Sequence, residues 1–422
     1  MWWQSYKGKI LNNKILVTNF SYLALLQIFV MISPLITYPY LIRVIGLELN
    51  GVIVFAQSIS TYLSLIINFG FNIYGVRQVA IYKKNQLELD KIVSTIYTSK
   101  IFIWFFLLLG WLLLISKLAF FSQYYWVYFF SFFITLNELL FPVWLFQGLE
   151  RMKYISIVNI TTRLVFILLI FLIIKDKMDY YIVPLLNSIG ALIAGLLSLW
   201  IVFVKLGFKY RVPSKNTMMT YFKEGFPLFV SFISIQIYAN INKLLVGGFL
   251  GMTDVSLYDF CEKIIALVRI PVSIIQQTVF PKISREKNVS FVNQVLKIVL
   301  ILNILLCLGV LLLSPFIMNY MLGHVFKIGI LIMAIMSGST IVSGINLFLG
   351  GCRLLPWGYS KYYSRIAVLN SFFFITLVAY LYLSDNISLY TIPILSFLTE
   401  IFSLYLLYRQ NKKVGLLYGI SS

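Results

Sequence analysis

The chain reads as an all-α integral membrane protein of about twelve transmembrane helices, in two pseudo-symmetric six-helix lobes around a central cavity. Three observations predict this. Of its 422 residues, 60% are hydrophobic and 11% charged, with a mean hydropathy of +0.92, far more apolar than an ordinary soluble domain. A spanning helix needs roughly 20 mainly apolar residues, and about twelve such runs fill almost the whole chain. Polar residues also recur at one constant offset in the two halves.

In chain order the runs fall at 17–41, 51–73, 94–116, 123–147, 156–174, 181–204, 225–249, 256–279, 294–314, 328–350, 364–383 and 389–408. The first is too long for a signal-peptide core and lacks a small-residue cleavage site, so it is expected to stay as a helix. Pro34 and Pro39 in the first run, Pro142 in the fourth and Pro271 in the eighth predict kinks. The connection 205–224 holds five basic residues and Pro213 and divides the runs six and six. The expected organisation is therefore a lobe over 1–204, a basic linker over 205–224, a lobe over 225–408 and a tail over 409–422.

Lys and Arg set the orientation. With a cytoplasmic N-terminus, the inner connections hold about 22 of them and the outer ones about 5, which places both termini in the cytoplasm. The net charge of +20 is then a topology signal, with adhesion to anionic inner-leaflet lipid as a by-product. Nucleic acid is not needed as a partner to explain it. Cys261, Cys307 and Cys352 lack any paired spacing and read as buried small hydrophobes.

Gly46 and Phe55 near the first outer turn match Gly251 and Phe260 at the same offset. Carried along the helices, that offset aligns a stripe of Gln57, Thr61, Ser64, Asn68 and Asn72 in the second run with Asp259, Glu262, Ala266, Arg269, Ser273 and Gln276 in the eighth. Stripes at equivalent depth are what two lobes around a shared cavity require. Interhelical hydrogen bonding is the alternative use of such stripes. Gln57 and Asn68 are the second-run residues expected to meet substrate.

Among the ionisable residues inside the runs, seven set away from the ends stand out: Glu138, Arg163, Lys243, Asp259, Glu262, Arg269 and Glu400. A charge at the bilayer centre costs roughly 2.5 to 3.5 kcal/mol on insertion scales, so such residues normally face protein or water. Arg269 lies about thirteen residues into its run, near the midplane at about 1.5 Å per residue, and is the first candidate for an anion contact. Arg77 at the inner mouth and Arg163 below the midplane extend a ladder of positive sites, because guanidinium presents a rigid fork suited to phosphate. Lys243, near the outer end of the seventh run, is a further candidate anion contact or the partner of Asp259 or Glu262. Asp259 also stands four residues before Lys263, and Glu138 is placed to pair with Arg163. Glu138, Asp259, Glu262 and Glu400 are the candidate ion-coupling carboxylates. Lys100, Lys297 and Arg365 are expected to snorkel to the inner face.

The segments SPLITYPYLIRVIG at 33–46, FGFNIYGVRQVA at 69–80 and FPVWLFQGLERMKY at 141–154 resemble the bacterial polysaccharide flippase family. That family comprises the O-antigen type of exporter in the multidrug/oligosaccharidyl-lipid/polysaccharide transporter superfamily. The cluster Trp144, Phe146, Gln147, Gly148 and Glu150 carries most of the likeness. Departures are Asn50, where an aromatic would precede Gly51, and Gly75, Val76, Arg77 in place of a small-Thr-Arg run.

The resemblance implies a V-shaped bundle with a cationic lumen. It also implies ion-coupled movement of an undecaprenyl-diphosphate-linked oligosaccharide from the inner to the outer leaflet of the bacterial inner membrane. Partners would be the lipid-linked glycan, membrane lipid and other glycan-assembly proteins. A multidrug pump of the same superfamily would favour an acidic aromatic pocket over this mixed set of charges. A membrane glycan polymerase would need a large outer loop, whereas the outer connections here are about six to thirteen residues long. No nucleotide-binding loop, metal-ligand cluster or nucleophile-base pairing stands out, so neither a cofactor nor enzymatic chemistry is expected.

Overall fold

The computed structural model describes residues 2–417. The side chains of Lys7, Lys9 and Lys14 and the end of the expected tail, 418–422, lie outside the described residues. Every regular element among the described residues is helical. Among the described residues, ten helices are long and apolar enough to cross a membrane.

Helix α1, Trp2–Asn68, contains an apolar stretch of 45 residues, Ala24–Asn68. At about 1.5 Å per residue this is roughly twice the thickness of a hydrocarbon core of about 30 Å. It breaks at Gly46 (φ 85, ψ 167), a backbone region closed to residues with a Cβ, and so carries the first two expected runs. Phe69 and Gly70, both at positive φ, then turn the chain into α2 (Phe71–Ile81).

Helix α3 (Gln86–Lys117) opens on Asn85, whose side chain accepts from the Glu88 N–H, and the short α4 (Ala119–Ser122) follows it. The fourth run is broken into α5 (Tyr125–Phe133), α6 (Leu136–Leu140) and α7 (Val143–Gly148), because Pro142 has no N–H to continue the helix. Helices α8 (Met152–Ile173) and α9 (Ile182–Trp200) complete the first half, α9 ending in a π-helical turn at Ile201–Lys205.

The expected linker is half helical, since α10 (Lys215–Asn240) begins inside it, and α11 (Asn242–Phe249) continues after Ile241. This pair covers the expected seventh run without being among the ten apolar helices, because Gln236, Asn240, Asn242 and Lys243 dilute it. Helices α12 (Met252–Glu286), α13 (Val289–Leu322), α14 (Lys327–Asn346), α15 (Ser360–Leu383) and α16 (Thr391–Lys413) follow. Helix α13 opens on an Asn cap, Asn288, just as α3 opens on Asn85. Helix α14 runs into a π-helical segment, Leu347–Leu354.

The chain divides into two compact units. Unit 1 is Met1–Gly46 with Ala56–Phe232, and unit 2 is Leu47–Phe55 with Ile233–Ser422. Unit 1 centres on Phe71, Val93, Trp144, Phe146, Ile155 and Val202. Unit 2 has a cluster around Val272, Val292, Val299, Phe348 and Cys352. All three cysteines are buried and free, as expected of small hydrophobes.

Residues 47–55 pack tightly within unit 2. A Cβ on Gly51 would lie 1.6 Å from the Met252 carbonyl oxygen, and one on Gly247 would lie 2.2 Å from the Phe55 ring. Asn50 Nδ2 donates to Ser256 Oγ at 2.7 Å in the same interface. Both helices that meet here open on a glycine at positive φ, Gly46 and Gly251, which carry the repeat offset. Close backbone approach is the usual gain from small residues where helices pack in lipid. Gly51→Ala should therefore destabilise the protein by about 1–3 kcal/mol through overpacking, read as a lower Tm in detergent, while Gly110→Ala, facing open space, should not.

Candidate functional site

In unit 2 the turn between α11 and α12 brings Lys243 against two acids. Its Nζ lies 2.9 Å from Asp259 Oδ1 and 2.9 Å from Glu262 Oε2, and Lys263 closes on the other oxygen of Asp259. Asp259 is 2% exposed, so the two lysines neutralise a carboxylate that could not otherwise remain charged there. Lys243, a candidate phosphate contact by sequence, thus has its charge taken up by two carboxylates.

Arg269 is different. It lies on the exposed side of α12, and its Nε donates to Thr340 Oγ1 at 3.2 Å, with no carboxylate ion-paired to it among the described residues. The stripe containing it, Glu262, Ala266, Arg269, Ser273 and Gln276, is half-buried to exposed in the unit. The uncovered side of α13 carries Ile298, Ile301, Leu305, Leu308 and Leu312 instead. An apolar exposed face suits acyl chains, whereas an exposed face carrying a guanidinium, a carboxylate and amides suits water.

Behind Arg269 stands a polar row that the sequence reading missed. Helix α14 contributes the buried Ser337, Ser339, Thr340 and Asn346. Asn303 Nδ2 donates to the Thr340 carbonyl at 3.1 Å, and Asn346 Nδ2 donates to Glu400 Oε2 at 2.6 Å and to the Glu400 carbonyl at 2.9 Å. Glu400, which has no partner evident in sequence, is therefore held by a neutral amide. The spacing of Ser337, Thr340 and Asn346 was the available signal, but runs of serine in an apolar helix rarely stand out.

In unit 1 the geometry corrects two expectations. Glu138 pairs with Lys100 at 2.6 Å and not with Arg163, and Lys100 is 1% exposed instead of snorkelling. The reason lies in the broken fourth run. Four donors on one side of α3 serve its loosened backbone and side chains. Tyr97 Oη donates to the Leu140 carbonyl at 3.1 Å, Lys100 Nζ to Glu138, Trp104 Nε1 to Thr135 Oγ1 at 2.9 Å and Trp111 Nε1 to the Tyr128 carbonyl at 3.2 Å. Hydrocarbon offers such groups no other partner.

The second-run stripe is also cut short. Its helix ends at Asn68, which is buried and accepts from the Asn72 N–H at 3.2 Å, so Asn68 fastens the turn into α2 and Asn72 belongs to the next element. Gln57, Thr61 and Ser64 remain half-buried to exposed. Arg163, half-buried on α8, and Arg77, exposed on α2, have no hydrogen bond or ion pair among the described residues.

The Trp144–Glu150 segment proves to be a packing device. A Cβ on Gly75 would meet Trp144 at 2.8 Å and one on Gly148 would meet Val79 at 2.6 Å, so α2 and α7 touch through glycines. Glu150, in the left-handed region, closes the turn with Lys83 at 2.9 Å.

Comparison with known proteins agrees with this plan. The chain is 28% identical over 364 residues to the "Putative O-antigen transporter" of Escherichia coli (strain K12), covering 83% of this chain and 86% of that protein. A protein of the same name from Shigella dysenteriae is 27% identical over 349 residues, covering 80% and 86%. Among solved structures, a multidrug resistance MATE family transporter of the MOP superfamily in its inward-facing conformation superposes with a TM-score of 0.70, at 12% identity, over 95% of this chain and all of that one. An outward-facing structure of such a transporter gives 0.62 at 13% identity, over 94% and 96%. At these identities the two structures speak to the fold alone. The polysaccharide biosynthesis protein family matches residues 16–287, well over half of the chain, and the chain belongs to that family, as a membrane transporter.

Proposed function

We propose that this protein moves a diphosphate-linked oligosaccharide on a polyprenyl lipid from the cytoplasmic to the outer leaflet of the bacterial inner membrane by ion-coupled alternating access, with both termini in the cytoplasm. The observation that carries this reading is the split among its membrane-depth cations. Lys100 and Lys243 are consumed by carboxylates, whereas Arg163 and Arg269 have no ion pair among the described residues. Arginines at membrane depth that are not ion-paired, Arg269 among them on a face that also carries Glu262, Ser273 and Gln276, are what an anionic cargo requires. A glycan cannot cross hydrocarbon unaided, so its sugars and diphosphate travel in water while the polyprenyl tail stays in lipid. Arg77, Arg163 and Arg269 are then the candidate phosphate contacts, and Gln57 is a candidate hydrogen-bond partner for the sugars.

Among the four candidate coupling carboxylates, Glu138, Asp259 and Glu262 are each bonded to lysine and Glu400 is not. Glu400 is accordingly the carboxylate proposed to take up and release the coupling ion. The lysine-paired three have a structural part to play.

These assignments give separable outcomes. Arg269→Ala and Arg163→Ala should each lower export of a labelled lipid-linked sugar in reconstituted vesicles by about 10- to 100-fold, the loss of one hydrogen bond to a charged group, with unchanged Tm. Normal export by both would remove the ladder, and drug sensitivity of a deletion strain with intact glycan export would favour a multidrug pump. Glu400→Gln should abolish the dependence of transport on the ion gradient while leaving cargo binding in place, measured by counterflow. Lys243→Ala should instead destabilise the fold by about 3–5 kcal/mol, seen as loss of folded protein, because Asp259 is left with one cation in a dry site.

A further inference from the structure

The Lys100 ammonium sits where a free cation would. Its Nζ is surrounded by Glu138 Oε1 at 2.6 Å, the Glu138 backbone carbonyl at 3.1 Å and Asn72 Oδ1 at 3.3 Å. Asn72 Nδ2 in turn donates to Glu138 Oε1 at 3.2 Å, which fixes the carboxylate. A carboxylate, an amide oxygen and a backbone carbonyl freed by a helix break are the donor set with which interrupted transport helices hold Na⁺.

The carbonyl is free for a definite reason. In an unbroken helix the Glu138 oxygen would accept from residue 142, which is proline and has no N–H. The broken run has thus built an oxygen cage, and α3 delivers a tethered cation into it. Lys100 is 1% exposed whereas the Glu138 side chain keeps 23% of its surface, so the lysine is the more deeply enclosed of the pair.

We propose that Glu138, its own carbonyl and Asn72 form a monovalent-cation site whose resident occupant is the Lys100 ammonium, which frees unit 1 from any need for a dissolved ion. An ordinary buried ion pair differs in one respect. It loses stability when the lysine is removed, and no added cation restores it.

The test uses purified full-length protein melted in choline, sodium, potassium or ethylammonium chloride at constant ionic strength. Wild type should melt at one temperature in all four. Lys100→Ala should melt lowest in choline and gain about 1–2 °C per tenfold rise in the concentration of a cation that fits, by linkage of binding to folding. Lys100→Ala combined with Glu138→Gln should lose that response. The proposal is overturned if Lys100→Ala melts alike in all four salts, if the double variant responds as the single one does, or if wild type itself responds. Should Lys100→Ala fail to accumulate, Lys100→Gln refills the space, leaves Glu138 charged and is read in the same way. Because the readout is folding, its outcome is independent of the export assay.

Discussion

Hydrocarbon has no hydrogen bonds to give, so each backbone group loosened within the membrane and each charge held there must find its partner inside the protein. Much of this molecule follows from that constraint. Pro142 breaks the fourth run and leaves carbonyls without donors, and one side of α3 supplies Tyr97, Lys100, Trp104 and Trp111 to the broken segment. Asp259 lies almost wholly out of water, and two lysines converge on it. The apolar outer face of α13 needs none of this and presents plain aliphatic side chains.

Satisfied and unsatisfied charges therefore mean different things here. A paired charge at membrane depth can be part of the scaffold, as Lys100 with Glu138 and Lys243 with Asp259 and Glu262 are. A charge that keeps its donors available, as Arg269 does on the polar side of α12, is costly unless water or a ligand reaches it. That contrast turns a list of seven intramembrane charges into separate groups, and it links the packing of single helices to a transport reading.

The repeat has a physical counterpart in the backbone. Gly46 and Gly251 each interrupt the chain at positive φ at the same offset, and Asn85 and Asn288 each cap the next long helix. Glycine and asparagine are retained at such points because the required turn or cap suits few other residues. The most family-like segment, Trp144 to Glu150, likewise secures close contact between α2 and α7, so a recognisable motif in this chain marks packing.

The sequence by itself determined the class of protein and the order of its helices, because burial in lipid imposes a length and an apolar composition that any reader of the chain can count. It also located the stripe on α12 and the Asp259–Lys263 pair, since residues four apart on one helix are neighbours wherever the helix goes. Only the tertiary structure decided that Glu138 meets Lys100 and not Arg163, that Asn346 holds Glu400 and that Asn68 closes a turn. Those partners come from different helices, and which sides of two helices face each other depends on kinks and turns, at Pro142 and Phe69–Gly70 among others, whose angles are not written in periodicity.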